Sequence, residues 1–317
     1  MREGGLFMKV LVTGGAGFIG SHLVRLLQKA GEDVTVVDNF STGRRENLPN
    51  GITCRQVDVT SPALNDVFDE GAFDAVVHLA GQTTVHVSMA DPELDGMQNV
   101  IGSIHVLEQA RRCGVSRVIF ASTAASYGDV PEERLPIDES EALSPLSFYG
   151  LSKVTVEKYL ALYQRAYGLD YVVLRFANVY GERQGIGGEG GVISIFAKKV
   201  AQGEPLTIYG DGGQTRDFIY AGDIASGIYA ALKTQQVNRA YNLSTQTETS
   251  LKELVSVLEQ AVGHEIPVSC KEARSGDIYQ SVLANGRARR ALGWQPEVSL
   301  EEGLRRTYRY FKEMQQQ

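Results

Sequence analysis

The sequence predicts an α/β protein built on a doubly wound parallel sheet, with a smaller C-terminal α/β domain. Short β-branched runs alternate with amphipathic helical stretches as far as Phe176. Several of these runs are apolar at successive positions, which is typical of parallel strands covered by helices on both faces. The 317 residues, of which 43 % are hydrophobic and 22 % charged, are sufficient for a sizeable core.

Six candidate strands precede Ala177. They are Met8–Thr13, Asp33–Val37, Ile52–Val57, Asp74–Leu79, Arg117–Ala121 and Tyr171–Phe176. Helices are expected between them, near residues 18–30, 62–70, 91–113 and 147–167. Strands and helices in alternation predict a parallel sheet with right-handed crossovers.

The regular alternation ends after Phe176, where glycine-rich loops and shorter elements follow. We therefore expect a first domain over residues 8–177 and a second domain over 178–215 and 245–317. A helix near Gly222–Leu232 and a strand at Ala240–Leu243 could return to the first domain. Part of 216–244 is therefore assigned to the first domain as well.

Charge and composition exclude several classes of protein. With 31 basic and 38 acidic residues, the net charge of −7 disfavours nucleic acid and anionic membrane surfaces as partners. No run approaches the ~18 apolar residues of a membrane span. The start of the chain lacks the apolar core of a signal peptide.

The cysteines and histidines indicate a reducing compartment and no metal site. Cys54, Cys113 and Cys270 are odd in number and widely spaced, which fits neither a disulfide framework nor a zinc site. The five histidines show no metal-ligand spacing. We therefore predict a cytoplasmic protein without a bound metal.

A glycine-rich turn follows the first candidate strand. Gly14, Gly17 and Gly20 lie between that strand and an apolar helix, with Phe18 and Ile19 in the same turn. In such turns one glycine allows the bend, one lets the backbone approach a pyrophosphate, and one lets the helix pack on the strand. The helix N-terminus attracts the phosphate charge. The flanking strand and helix make this motif specific, and it predicts a Rossmann-type dinucleotide-binding fold.

Asp38 ends the second candidate strand, 18 residues after Gly20. A carboxylate at this place accepts hydrogen bonds from the ribose hydroxyls of NAD and repels a 2′-phosphate. Arg44 and Arg45 follow in a loop and could favour NADP instead. We expect the acid to dominate because it lies at the strand end, so the predicted cofactor is NAD.

Tyr149 and Lys153 form a candidate acid/base pair. The pattern Tyr-x-x-x-Lys also begins at Tyr229 and Tyr308, but only Tyr149 follows a strand that ends in hydroxyl residues. Residues four apart share a helix face, and an ammonium beside a phenol favours the phenolate by lowering its pKa. The pair could deprotonate a secondary alcohol as hydride moves to nicotinamide, with Thr123 bonded to the substrate oxygen.

Together these segments resemble the extended short-chain dehydrogenase/reductase family, and within it the nucleotide-sugar 4-epimerases of the UDP-glucose type. The likeness covers essentially the whole chain from Met8. It rests on Thr13–Gly20, Asp38, Ser122–Gly128 and Tyr149–Lys153, with support from Val37–Gly43, Val57–Val59, His78–Gln82, Arg175–Gly181, Thr215–Tyr220 and Arg274–Asp277.

The resemblance implies roles for individual residues. Further NAD contacts are expected from Asn39, Asp58, Val59, Leu79 and Ala80. Tyr149 would be the acid/base, Lys153 would bind the nicotinamide ribose, and Thr123 would bind the sugar 4-oxygen. The UDP-sugar would contact Asn178, Arg216 and Arg274. Ser281 stands where glucose-restricted relatives carry a bulky tyrosine, so an N-acetyl group at C2 is expected to fit.

The resemblance also narrows the reaction. Ala124 and Ala125 stand where related 4,6-dehydratases have an acid pair and decarboxylases a glutamate. This favours inversion at C4 through a 4-keto sugar. The resemblance also implies a homodimer formed by the helices near 91–113 and 147–167. Two alternatives are a reductase of the same fold that releases its cofactor at each turnover, and a non-catalytic dinucleotide-binding module.

Overall fold

The structure is a computed structural model that describes residues 7–185, 190–272 and 278–316. Its strands are β1 (Lys9–Thr13), β2 (Asp33–Asp38), β3 (Thr53–Gln56), β4 (Ala75–His78), β5 (Arg117–Thr123), β6 (Asp170–Phe176), β7 (Asn178–Tyr180), β8 (Leu206–Tyr209), β9 (Thr215–Arg216), β10 (Phe218–Tyr220), β11 (Arg239–Leu243), β12 (Thr249–Ser250) and β13 (Val268–Lys271).

The α-helices are α1 (Phe18–Lys29), α2 (Leu64–Gly71), α3 (Val85–Ala90), α4 (Pro92–Asp95), α5 (Gly102–Arg112), α6 (Phe148–Tyr167), α7 (Val192–Ala201), α8 (Ala221–Lys233), α9 (Leu251–Val262), α10 (Gly286–Leu292) and α11 (Leu300–Met314). A π-helical turn covers Gly96–Ile101, and short 3₁₀ turns cover Arg45–Asn47, Ala124–Ser126 and Glu132–Arg134.

Seven strands form the central sheet in the order β11-β6-β5-β4-β1-β2-β3. Every neighbouring pair is parallel, with Lys9 opposite Asp33 and Val10 opposite Ala75 on the two sides of β1. The strand order reverses beside β1, which is the arrangement of a doubly wound nucleotide-binding sheet. The predicted fold class and all six predicted strands are confirmed. β11 extends the sheet beyond β6, with Arg239 opposite Val172.

Two apolar cores cover the two faces of the sheet. Alternate residues of β1 point to opposite faces, with Val10 and Val12 in one core and Leu11 in the other. Helices α1 and α8 pack in the first core, and α2, α5 and α6 pack in the second. The continuous apolar runs of the sequence follow from this burial on both faces.

A third apolar core lies in the C-terminal part of the chain. It is built from α7, α9 and α11 together with β8 and β10. Small two-stranded sheets accompany it, of which β7–β10 and β8–β13 are parallel and β9–β12 is antiparallel. Within the described ranges, none of the helices has both the length and the apolar character that a bilayer crossing requires.

The helix expected over residues 91–113 is divided into three pieces. Pro92 begins α4, whose N-terminus is capped by the Asp91 side chain at 3.0 Å from the Leu94 amide. The π-helical turn then separates α4 from α5. Asp95, the last residue of α4, and Asn99, within this turn, are both buried, at 1 % and 2 % exposure. Such turns are frequent at functional sites.

Candidate active site

A cavity of about 600 Å³ opens at the carboxyl ends of the parallel strands, beside the reversal in strand order. Its lining includes fourteen of the predicted site residues: Gly14, Phe18, Ile19, Gly20, Asp38, Asn39, Asp58, Val59, Leu79, Ala80, Thr123, Tyr149, Lys153 and Asn178. Gly17, Arg216 and Ser281 are not part of this lining. Arg274 lies outside the described residues.

The glycine turn has a shape that other residues would not permit. Gly14 has φ +69°, and a Cβ there would lie 2.7 Å from the Ala80 nitrogen. A Cβ on Gly20 would lie 2.2 Å from the Gly14 oxygen, so α1 can pack this closely on β1 only because Gly20 lacks a side chain. Gly17 precedes α1 as its N-cap and makes no side-chain capping bond. The first amides of α1 are therefore available for a phosphate group.

Asp38 lies at the end of β2 and is 7 % exposed. Its Oδ2 accepts the Ala16 amide at 2.9 Å and its Oδ1 accepts the Phe40 amide at 2.8 Å. Burial raises the pKa of this carboxyl, and the backbone hydrogen bonds act against that rise. Each oxygen retains a lone pair for a ribose hydroxyl in the cavity. The glycine turn and this acid fit NAD.

The two arginines that could have favoured NADP lie beside a second, shallower cavity. Arg44 and Arg45 line it together with Phe40 from the preceding chain and Cys54 of β3. Neither arginine lines the main cavity, whereas Asp38 does. This placement agrees with the expectation that the acid dominates.

Thr123, Tyr149 and Lys153 come together in the lining of the same cavity as the glycine turn. Thr123 is the last residue of β5, and Tyr149 lies in the first turn of α6. The Ser147 hydroxyl begins α6 by accepting the Gly150 amide at 3.1 Å. Lys153 follows one turn later, with Nζ 5.8 Å from the centre of the Tyr149 ring. The predicted i and i+4 pair therefore does share one face.

The pKa of Tyr149 departs from the expectation drawn from the sequence. Burial raises this pKa, a hydrogen bond with the Thr123 hydroxyl lowers it, and the Asp95 charge raises it. Without bound cofactor, the Lys153 ammonium does not offset the effect of burial on the pKa of Tyr149. Burial also lowers the pKa of Lys153 to about 8, while the Asp95 carboxylate acts to raise it. The expectation failed because it counted the ammonium and left out the loss of water around the phenol.

Sequence reasoning missed the buried polar groups behind Lys153. Asp95 Oδ1 accepts the side-chain amides of Gln82 at 3.0 Å and Asn99 at 2.9 Å. Asn99 also lies 3.2 Å from the Ser152 hydroxyl. The spacing of four between Asp95 and Asn99 was a usable signal, since on a helix it places both on one side.

A second missed group anchors α6 to the sheet. Glu157 lies one turn beyond Lys153 and forms a buried ion pair with Arg175 of β6, at 2.6 Å between Oε2 and Nη2. Its Oε1 accepts the Ser122 hydroxyl at 2.6 Å. The spacing of Tyr149, Lys153 and Glu157 puts all three on the same side of α6.

The two remaining substrate candidates lie apart from the cavity lining. Arg216 donates from Nη1 to the Thr215 carbonyl at 2.7 Å and to the Tyr279 carbonyl at 3.3 Å. The Ser281 carbonyl accepts the Asp217 amide at 3.0 Å. Their roles stay predictions. In the part of the chain that the structure describes, no group of three His, Cys, Asp or Glu residues is arranged to hold a metal ion.

Comparisons with known proteins agree with the predicted fold and cofactor. The profile of the NAD dependent epimerase/dehydratase family matches residues 10–244. The UDP-glucose 4-epimerase of Mycolicibacterium smegmatis is 37 % identical over 315 residues, which cover 98 % of this chain and 100 % of the relative.

Two solved structures are similar over nearly their whole length. The UDP-glucose 4-epimerase of Thermotoga maritima, with UDP-glucose, has a TM-score of 0.93 and 39 % identity, covering 97 % of this chain and 100 % of that one. The UDP-glucose 4-epimerase of Thermus thermophilus, with NAD, has a TM-score of 0.90 and 40 % identity, covering 96 % and 99 %. The predicted resemblance, the cofactor NAD and an NAD-dependent enzyme are confirmed. The chain belongs to the NAD dependent epimerase/dehydratase family.

Proposed function

We propose that this protein inverts C4 of a UDP-sugar, with UDP-glucose and UDP-galactose as an interconverted pair. The observation that carries the proposal is that one cavity is lined both by the NAD-type cradle at Gly14 and Asp38 and by Thr123, Tyr149 and Lys153. This shared lining supports a reaction in which the bound cofactor and the acid/base pair act on the same sugar carbon. The similarity to UDP-glucose 4-epimerases over the whole chain supports the same reaction.

In the proposed mechanism, Tyr149 removes the proton of the sugar 4-hydroxyl while Thr123 binds the 4-oxygen. Bound NAD⁺ supplies the hydride acceptor and a positive ring that favours the phenolate. Lys153 holds the cofactor ribose and adds a second positive charge near the phenol. The 4-keto sugar turns in the cavity, and Tyr149 returns the proton after hydride reaches the other face. The cycle has no net redox change, so the cofactor stays bound.

The test is to incubate the purified protein with UDP-glucose, UDP-N-acetylglucosamine and UDP-glucuronate without added cofactor. We expect C4-inverted products and a stoichiometric amount of NAD in the protein. A reductase would release its cofactor and would need a supply of it. Failure to invert any of the three sugars would contradict the proposal.

We propose that UDP-N-acetylglucosamine is accepted as well as UDP-glucose. The support is the small side chain of Ser281, as the family resemblance implies. Ser281→Tyr should lower kcat/KM for the N-acetyl sugar at least tenfold relative to UDP-glucose, because the added ring would take the space of the acetyl group. Ser140→Tyr, on an exposed turn, is the matched control. An unchanged ratio in Ser281→Tyr would contradict this choice of sugar.

We propose that NAD is bound by residues 8–177 with part of 216–244, and the UDP-sugar by residues 178–215 and 245–317. The addition of β11 to the central sheet supports the return of the chain to the first part. The separate C-terminal core supports a second part. We also propose that the protein works in the cytoplasm, which is supported by its three free cysteines.

We propose a homodimer formed through α6 and the segment from α3 to α5. Of the sixteen exposed large apolar side chains in the described residues, ten belong to this region and Leu146 lies just before α6: the ten are Val85, Met89, Leu94, Met97, Ile101, Phe148, Leu151, Tyr159, Leu162 and Tyr167. A concentrated apolar surface is typical of an interface between subunits. Tyr159, Tyr163 and Tyr167 recur every four residues along α6, but only Tyr159 and Tyr167 are exposed; Tyr163 is 8 % exposed, and its hydroxyl donates to Glu108 at 2.6 Å.

Light scattering measures the predicted association. The unmodified protein should have twice the mass of one chain, and Leu151→Asp should be monomeric because it places a charge in the interface. Ile195→Asp changes an equally exposed apolar residue on α7 and should leave the dimer intact. A monomeric unmodified protein at micromolar concentration would contradict the proposed homodimer.

A further inference from the structure

Lys153 is a buried ammonium whose direct surroundings do not neutralise it. Its side chain is 4 % exposed, and Nζ lies 5.0 Å from the centre of the Phe120 ring. Within the described ranges the structure shows no ion pair or hydrogen bond to Nζ. A buried charge is costly unless an opposite charge lies near it. The negative charge of a carboxylate on a neighbouring element would reduce the cost of burying this ammonium.

Asp95 is placed to supply that charge. Its carboxyl is 1 % exposed, and Oδ1 is held by the side-chain amides of Gln82 and Asn99. Asn99 in turn lies 3.2 Å from the Ser152 hydroxyl, which donates to the Tyr149 carbonyl at 2.9 Å. A continuous series of polar contacts thus leads from Asp95 to the first turn of α6.

Three titratable groups face Lys153 in the described residues. Tyr149 lies on the same helix, His78 is at the end of β4, and Asp95 is at the end of α4. Burial, followed by the Lys153 charge, lowers the pKa of His78 to about 3, so this ring is neutral at working pH. Burial raises the pKa of Asp95, while its hydrogen bonds and the Lys153 charge act against that rise. Asp95 is the carboxyl among the three, and its ionised form supplies a negative charge.

We propose that Asp95 is a positioning residue for the acid/base pair: its carboxylate is the counter-charge of the Lys153 ammonium, and its bonds through Asn99 fix the helical turn that carries Tyr149. This inference deepens the proposed function and rests on the roles given there to Tyr149 and Lys153. Asp95 ends α4 directly before the π-helical turn, and Asn99 lies within that turn.

The counter-charge role has a signature that a purely structural role lacks. The Asp95 charge raises the pKa of both Tyr149 and Lys153. Loss of that charge should therefore move both limbs of the pH profile of kcat to lower pH, by about one unit. A side chain that only supports the fold would lower the height of the profile without moving it.

The experiment compares the NAD-bound protein with Asp95→Asn, and with Glu93→Gln as the matched control. Glu93 is an exposed acid on the same short helix. The Lys153 titration is followed by ¹³C NMR of the lysine Cε, with Lys153→Met identifying the signal. In Asp95→Asn the midpoint should fall by about one pH unit. In Glu93→Gln the midpoint and the pH profile should match those of the unmodified protein.

Each outcome decides the inference. The inference would be overturned if the Lys153 titration midpoint were equal in Asp95→Asn and the unmodified protein. It would also be overturned if kcat were lower in Asp95→Asn while both limbs of its pH profile stayed at the same pH. Asp95→Ser is the second neutral variant, and Asp95→Glu, which keeps the charge, should restore the midpoint. If circular dichroism shows that neither neutral variant folds, Asp95 serves the fold and the counter-charge role is rejected. The NMR titration needs no substrate, so inactivity on every UDP-sugar would contradict the proposed function alone.

Discussion

Removal of the Glu157 carboxylate should destabilise the protein strongly. The side chains of Glu157 and Arg175 are 9 % and 6 % exposed. The guanidinium donates from Nε at 3.1 Å and from Nη2 at 2.6 Å, one bond to each carboxylate oxygen. Glu157→Gln keeps the size of the side chain, but it leaves the buried Arg175 guanidinium without an anion. It also places an NH2 group, which is a donor, opposite one of the guanidinium N–H donors.

The expected magnitude follows from this burial. Breaking a buried ion pair by removing one partner costs about 3–5 kcal/mol, because the remaining charge is uncompensated. At ~2 °C per kcal/mol for a chain of this size, Tm should fall by roughly 6–10 °C. The loss also reaches the active site, since the Ser122 hydroxyl bonded to Glu157 belongs to a cavity-lining residue next to Thr123.

Thermal unfolding followed by circular dichroism measures the shift, and Glu301→Gln is the matched control. Glu301 pairs with Arg305 on α11, where the two side chains are 48 % and 39 % exposed. An exposed pair contributes less than about 1 kcal/mol, so Tm should change by less than ~2 °C. Equal shifts in the two variants would refute the reasoning that burial makes the Glu157 pair different.

Three further variants test the site itself. Tyr149→Phe should lower kcat by about 10²–10⁴-fold with NAD still bound, measured by product formation and cofactor content, whereas loss of NAD would mean that the phenol acts in binding. Gly20→Ala should lose NAD and about 1–3 kcal/mol of stability, because its Cβ would lie 2.2 Å from the Gly14 oxygen. Gly96→Ala, with no atom within 4 Å of its Cβ, is the control for Gly20→Ala, and equal behaviour of the two would contradict the close packing. Asp38→Asn should lower the affinity for NAD about tenfold, measured by fluorescence titration, and should reduce the preference of the protein for NAD over NADP. An unchanged preference would show that Asp38 does not discriminate between the two cofactors.

Local patterns predicted much of the fold. The apolar runs were sufficient to predict the six strands, because strands buried on both faces are apolar at successive positions. The glycine turn was sufficient to predict the dinucleotide cradle, because the bend after β1 needs the positive φ of Gly14. The π-helical turn was not predicted, and neither was the burial of Asp95 and Asn99, since burial depends on elements that are distant in the sequence. The raised pKa of Tyr149 was missed for the same reason, as desolvation depends on everything packed around the phenol.

Helix α6 has two sides with different surroundings. Tyr149, Lys153 and Glu157 share the side that faces the sheet, while Leu151, 49 % exposed, is on the outer side. Both sides of this 20-residue helix share one hydrogen-bonded backbone. Contacts made on its outer side are therefore expected to restrain the motion of the Tyr149 side chain as well. Turnover should therefore respond to contacts on the outer side of α6, about 10 Å from Tyr149, even when the residues that contact the sugar are unchanged.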